Sequence, residues 1–123
     1  MSNKPTPNEA LRDRLSRSSE ITITVTGRTS GRNISIPIWL VFEDPTLYLL
    51  PVYGSDTHWY KNVLKNPKFR VAARDAEAEL KAVPATDPKQ ISGVVEKFRE
   101  KYGAGDVKKY YSKFDVAVLA EMG

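Results

Sequence analysis

The chain has 123 residues, no cysteine and a single histidine. That length favours one domain with one core. The lack of cysteine excludes disulfides, thiol nucleophiles and thiolate metal sites and fits a reducing cytoplasm, while the lone His58 argues against a zinc centre, so no metal is expected. A net charge of +4 and a pI near 9.3 point to an anionic partner: a phosphate-bearing cofactor, nucleic acid or a membrane surface.

In chain order, residues 1–8 are polar and proline-bearing and are expected to be disordered. Glu9 to Ser19 has Leu11 and Leu15 four apart and could form a short helix, so residues 1–20 read as an N-terminal tail. Nothing in them has the apolar core of a signal peptide, and no run approaches the roughly 20 apolar residues of a membrane span. Residues 21–123 read as a single domain. Ile21, Ile23 and Val25 alternate with Thr22, Thr24 and Thr26, which predicts a strand. A turn follows over Gly27–Asn33, and alternation resumes at Ile34, Ile36 and Ile38, so the whole reads as a hairpin. The second arm continues through Trp39 to Phe42 as a run apolar on both sides. Glu43–Thr46 is a turn around Pro45, and Leu47 to Val52 a third strand.

Asp56 or Thr57 looks like a helix cap, and His58 to Asn66 a helix ending before Pro67, with Trp59 and Val63 on one face. Lys68–Ala73 and Ala76–Val83 read as two strands. Asp87 and Pro88 open a second helix with a stripe of Ile91, Val94, Val95, Phe98 and Tyr102. Gly103 and Gly105 end it. Asp106–Ser112 is short helical or irregular, and Phe114–Glu121 a last strand. The order is β-β-β-α-β-β-α-β. Six short strands with two or three helices predict an α+β fold, mainly β, built on a six-stranded antiparallel barrel whose closure hides its edges.

The turn between the hairpin arms carries the chemistry. Gly27 and Gly31 allow positive φ and close approach of a ligand, and successive amides in such turns form anion-binding concavities. Arg28 and Arg32 add permanently charged forks suited to phosphate or carboxylate. The plainer reading is a solvated loop that keeps the protein soluble, and a lone Gly-rich basic turn is a weak motif.

The pattern T-G-R-T-S-G-R, then I-P-I-W, then Y-L-L-P-V-Y-G-S-D, then H-W-Y-K-N-V-L-K-N-P resembles the deazaflavin (F420)-dependent nitroreductases. These are split β-barrel proteins related to the FMN-binding pyridoxamine-phosphate oxidases. The resemblance covers Ile21 to Ala73 and the position of the final strand. It implies hydride transfer from reduced coenzyme F420 to a quinone, nitro compound or activated alkene. It also implies a site. Arg28, Thr29, Ser30 and Arg32 match the phosphate- and tail-binding turn, and Ser35, Pro37, Ile38 and Trp39 the strand along the ring. Pro51, Val52 and Tyr53 match the strand end whose amides touch the ring edge, and His58, Trp59, Tyr60 and Asn62 the helix start. Tyr60, Tyr102 and Tyr110 are the substrate-side candidates, with Tyr111 beside them. Lys61 and Lys65 could help Arg32 hold the anionic tail.

The sequence departs from the family in having Ile34 where many members carry a basic residue, and in a short Gly54–His58 loop. The expected partners are the anionic deazaflavin and a small hydrophobic electron acceptor, with pairing into a homodimer as in many split barrels. FMN is the alternative cofactor. A nucleic-acid-binding barrel is the alternative from another class, disfavoured because the aromatics sit in apolar runs.

Overall fold

Alternation in ITITVT produces β1 (Ile21–Thr26), with Ile21, Ile23 and Val25 buried and the threonines facing outward. A computed structural model describes residues 7–122. Most of the stretch expected to be disordered, residues 1–6, lies outside the described residues, whereas Pro7 and Asn8 begin helix α1 (Pro7–Arg17). Inside the segment read as a tail, Leu11 and Leu15 are fully buried in the main core. Their four-residue spacing gives one apolar stripe, and that suffices once a sheet lies beneath it.

β1 pairs antiparallel with β2 (Asn33–Ile38) and with β5 (Lys68–Ala73), and β5 pairs with β6 (Ala76–Lys81), giving the sheet order β2-β1-β5-β6. A second sheet has the order β3-β4-β8-β7, from β3 (Val41–Glu43), β4 (Thr46–Leu49), β8 (Ala117–Glu121) and β7 (Val83–Ala85). Helices α2 (His58–Lys65), α3 (Pro88–Tyr102) and α4 (Ala104–Tyr110) complete the fold. One core lies between the sheets and α1, and a second beneath α3 and α4 is centred on Phe98. No helix among the described residues is long and apolar enough to cross a membrane.

The fold is α+β and split-barrel-like, but eight described strands replace the predicted six, four α-helices replace two or three, and the sheets do not join into a closed barrel. Both extra strands arise where the chain crosses between sheets. The run read as one strand to Phe42 breaks at Trp39–Leu40. There the Leu40 N–H donates to the Tyr102 hydroxyl (3.0 Å), and the Leu40 carbonyl accepts from Lys101 Nζ (2.9 Å). With both backbone groups satisfied by side chains, no ladder is needed. The run Ala76–Val83 breaks at Ala82, whose N–H donates to the Pro67 carbonyl (2.8 Å). The last strand begins only at Ala117, because the residues before it are held by the site described below.

Helix α3 starts as predicted, with Pro88 in its first turn and the Asp87 carboxylate accepting from Gln90 N–H (3.0 Å). Ile91, Val94, Val95 and Phe98 are buried along its stripe. Thr57 caps α2 by position only, since its hydroxyl instead accepts from Tyr53 N–H (2.8 Å).

Candidate functional site

Where the chain crosses between sheets, an open cavity of about 250 Å³ forms, lined by Glu20, Pro37, Ile38, Trp39, Leu50, Val52, Trp59, Tyr110 and Tyr111. The walls come from the end of β2, the segment after β4, the first turn of α2 and the end of α4. Seven are residues named from the sequence: Pro37, Ile38, Trp39, Val52, Trp59, Tyr110 and Tyr111. Glu20 and Leu50 are additions. Glu20 had no motif to mark it and enters only because the link from α1 to β1 passes the cavity mouth. Leu50 was hidden in an apolar run.

The aromatic wall is fixed from behind. Trp39 stacks on Tyr102 with centroids 4.2 Å apart and planes 8° from parallel, and meets Tyr110 edge-on at 5.5 Å. Tyr102 is held in turn. Its hydroxyl accepts from Leu40 N–H and lies 2.8 Å from the Ser19 carbonyl and 2.9 Å from that of Leu40. Tyr102 is not among the cavity-lining residues, and Tyr60 is buried in the main core rather than at the cavity surface.

The corner carrying Val52 is stapled to the segment after α4. The Val52 carbonyl accepts from Ser112 N–H (2.9 Å), and Ser55 donates from its N–H (2.9 Å) and its hydroxyl to Asp115. Lys113 pairs with Asp56 at 3.1 Å. Gly54 stands at φ +56 with Asp115 against it, so a side chain there would meet both strain and a carboxylate. The N–H groups of Tyr53, Gly54 and Ser55 go to Thr57 Oγ1, the Pro51 carbonyl and Asp115. Only the Val52 N–H is not drawn into this network. Pro51 is buried and the Tyr53 side chain exposed.

The Gly-Arg turn stands at the other end of the hairpin. Gly31 N–H donates to the Gly27 carbonyl (3.0 Å) with Gly31 at φ +70, and Ser30 Oγ accepts from Arg32 N–H (3.2 Å). Arg28 ties the turn to α2. Its backbone N–H (3.1 Å) and its Nη1 (2.8 Å) both donate to Asn62 Oδ1, and Nη1 reaches the His58 carbonyl at 3.4 Å. Nη2 lies 3.4 Å from His58 Nδ1, which accepts when the ring proton is on Nε2. Asn62 is 4% exposed and therefore buttresses the turn from within. Arg28 Nε makes no hydrogen bond with the described residues, and the side chain is half-buried. Thr29, Ser30 and Arg32 are exposed, as is Ser35, whose hydroxyl bonds Thr24 Oγ1 across the strands at 2.8 Å. Turn and cavity lie at opposite ends of β2, while Arg28 reaches across to the His58 carbonyl, one residue before the cavity-lining Trp59.

Burial pushes the hydroxyl of Tyr111 well up from the ordinary tyrosine value, and those of Tyr60 and Tyr102 also up. For Tyr60 the nearby Asp115 charge adds to burial, and for Tyr102 the Glu20 charge adds while the Leu40 contact opposes. All three stay protonated at neutral pH. In the unfolded chain they ionise near pH 10, so there the unfolded state binds fewer protons than the folded one. Stability should therefore fall as pH rises beyond about 10. Urea midpoints between neutral and strongly alkaline pH should show the decline, and Tyr111→Phe should flatten it. An equal decline in that variant would mean that Tyr111 ionises freely in the fold.

Similar architectures carry different chemistries. An F420-H2 dependent reductase (FDR-A) superposes with a TM-score of 0.65 at 21% identity, over 84% of this chain and 94% of that one. The heme storage protein HutZ from Vibrio cholerae superposes with a TM-score of 0.69 at 10% identity, over 93% and 88%. A Listeria innocua protein provisionally named a pyridoxamine 5′-phosphate oxidase gives 0.68 at 14% identity, over 94% and 92%. At these identities the likeness is one of fold. Among curated proteins, none matches the sequence. Residues 12–117 match the family described as "Uncharacterized protein conserved in bacteria (DUF2255)", and the chain belongs to that family.

Proposed function

We propose that this protein is a reductase that binds coenzyme F420 and passes its hydride to a small apolar acceptor such as a quinone, nitro compound or activated alkene. One arrangement carries the reading: an aromatic slot and a basic Gly-Arg turn at the two ends of one hairpin arm, with Arg28 of the turn reaching α2 beside the slot's Trp59. The slot, at about 250 Å³, falls below the roughly 300–1,000 Å³ of sites that enclose a whole drug-sized ligand. It suits a fused planar ring, with the rest of the molecule lying outside along β2. A ligand satisfying both carries a planar ring and an anionic extension. A ring joined through phosphate to an oligoglutamate tail meets that demand with carboxylates for Arg32 beyond the phosphate, whereas FMN has the phosphate and no tail.

In this reading Pro37, Ile38, Trp39, Val52 and Trp59 hold the ring, and the Val52 N–H is available to a ring carbonyl. Arg28, Thr29, Ser30 and Arg32 hold phosphate and carboxylates, with Lys61 and Lys65 adding exposed positive charge. His58 and Asn62 set the Arg28 fork. Tyr110 and Tyr111 face the acceptor. The buried Tyr111 hydroxyl, kept protonated, can donate a hydrogen bond to an acceptor oxygen. Tyr102 positions Trp39 from behind, and Tyr60 supports α2 from the core. Bound reduced deazaflavin would supply a hydride as a two-electron step, so the chain needs no nucleophile or metal of its own. Two copies could pair as a homodimer.

Adding protein to purified deazaflavin should perturb its absorbance and fluorescence, and reduced deazaflavin should then be oxidised by menadione in the protein's presence. Tighter binding of FMN would instead favour a flavin oxidoreductase. Binding of single-stranded DNA with no response to either cofactor would favour the nucleic-acid reading.

A further inference from the structure

Glu20 is the one charged side chain among nine residues lining a cavity otherwise walled by Trp39, Trp59, Tyr110, Tyr111 and aliphatic groups. It is exposed and makes no ion pair or hydrogen bond with the described residues. The residue before it, Ser19, accepts from the Tyr102 hydroxyl at 2.8 Å, so the chain enters Glu20 directly from the Trp39–Tyr102 stack. Of the lining rings, Tyr110 already draws a cation, with Lys109 Nζ 5.3 Å from its centroid, and Lys109 itself does not line the cavity. Aromatic faces converging on one cavity, with an unpaired carboxylate at its mouth and no lining cation, form a receptor for positive charge on an apolar body.

We infer that the cavity selects organic cations, planar or compact apolar molecules bearing a quaternary or protonated nitrogen, with Glu20 as the counter-charge. Charge along the hairpin is then polar: negative at the cavity, positive at the Gly-Arg turn. Under the reductase reading the cation is the electron acceptor, stacked at the open side of the cavity. The inference rests on that reading only for the ligand's role, because the preference for positive charge comes from the lining itself.

The protein's only two tryptophans, Trp39 and Trp59, both line the cavity, so their indole N–H resonances report it directly. The full chain, without deazaflavin, is titrated with N-methylquinolinium and, above neutral pH, with the uncharged 4-methylquinoline of similar size. The cation is expected to bind about tenfold or more tightly at low salt, shifting both indole signals. In Glu20→Gln, an exposed isosteric change that leaves the fold intact, the preference should drop several-fold with affinity for the neutral ring unchanged. Equal affinity of the two probes for the native chain overturns the proposal. So does a cation preference that survives Glu20→Gln undiminished, or shifts confined to residues away from both tryptophans. Failure of deazaflavin to bind would leave this result standing, and failure here would leave deazaflavin binding standing, so the two readings fail separately.

Discussion

Phe98→Ala should lower the folding stability of this chain by about 3–5 kcal/mol. Phe98 is fully buried, on the stripe of α3, with its ring 5.9 Å from Tyr102 and 6.0 Å from Tyr111. Removing it forfeits the transfer of the aromatic side chain and leaves a void whose walls cannot collapse freely. Tyr102 is pinned by its hydroxyl to Leu40 and Ser19, and Tyr111 is packed among Trp39, Phe98 and Phe114. Domains of this size are stable by about 5–15 kcal/mol, so the loss would consume much of the total. Urea unfolding followed by tryptophan fluorescence measures it, and the native signal of Trp39 should itself change as Tyr102 loses its backing. Leu64→Ala, on the half-exposed side of α2, should stay within about 0.5 kcal/mol. A loss below about 1 kcal/mol for Phe98→Ala would show that the second core is not packed around this ring.

The hairpin, α2 and α3 were legible because each follows a local rule. Alternation set β1 and β2, Pro67 ended α2, and Asp87–Pro88 started α3. Most of the cavity lining was named by the family resemblance rather than by local rules, through the stretches Pro37–Trp39, Pro51–Tyr53 and His58–Asn62. What local rules missed came from distant partners. The strand break at Leu40 depends on Lys101 and Tyr102, over sixty residues away, and the break at Ala82 depends on Pro67. The burial of Leu11 and Leu15 depends on sheets that form later in the chain. Glu20 reached the cavity only because Ser18 and Ser19 are tied to the end of α3 by Lys101 and Tyr102. In the other direction, the family resemblance that placed Tyr102 and Tyr60 in the substrate-side set could not tell that one hydroxyl is engaged by Leu40 and Ser19, or that the other ring lies in the core.

Arg28→Ala should weaken deazaflavin binding by about 1.5–3 kcal/mol, the range for a lost charge-assisted contact, or roughly 10- to 150-fold in Kd. The lower end is expected, because the guanidinium is partly exposed and its attraction for phosphate is screened by salt. The substitution is well suited to a binding test. Arg28 meets Asn62 Oδ1 through both its backbone N–H and its Nη1, and alanine keeps the first of these. The turn stays tethered to α2 while the guanidinium is lost. Asn62→Ala is the contrasting case: it removes both contacts from a buried site and should lower stability as well as affinity, leaving the turn loose. Arg28→Lys should recover only part of the loss, since an ammonium keeps the charge without the planar fork. Fluorescence titrations with deazaflavins of increasing tail length, at low and high salt, separate the contributions. Longer tails should bind modestly tighter at low salt, an advantage that shrinks as salt is added and that Arg32→Ala reduces. FMN, without the tail, should bind more weakly and with a flatter salt dependence. Unchanged affinity in a folded Arg28→Ala protein would remove the Gly-Arg turn from the site and leave the aromatic cavity to bind its ligand alone.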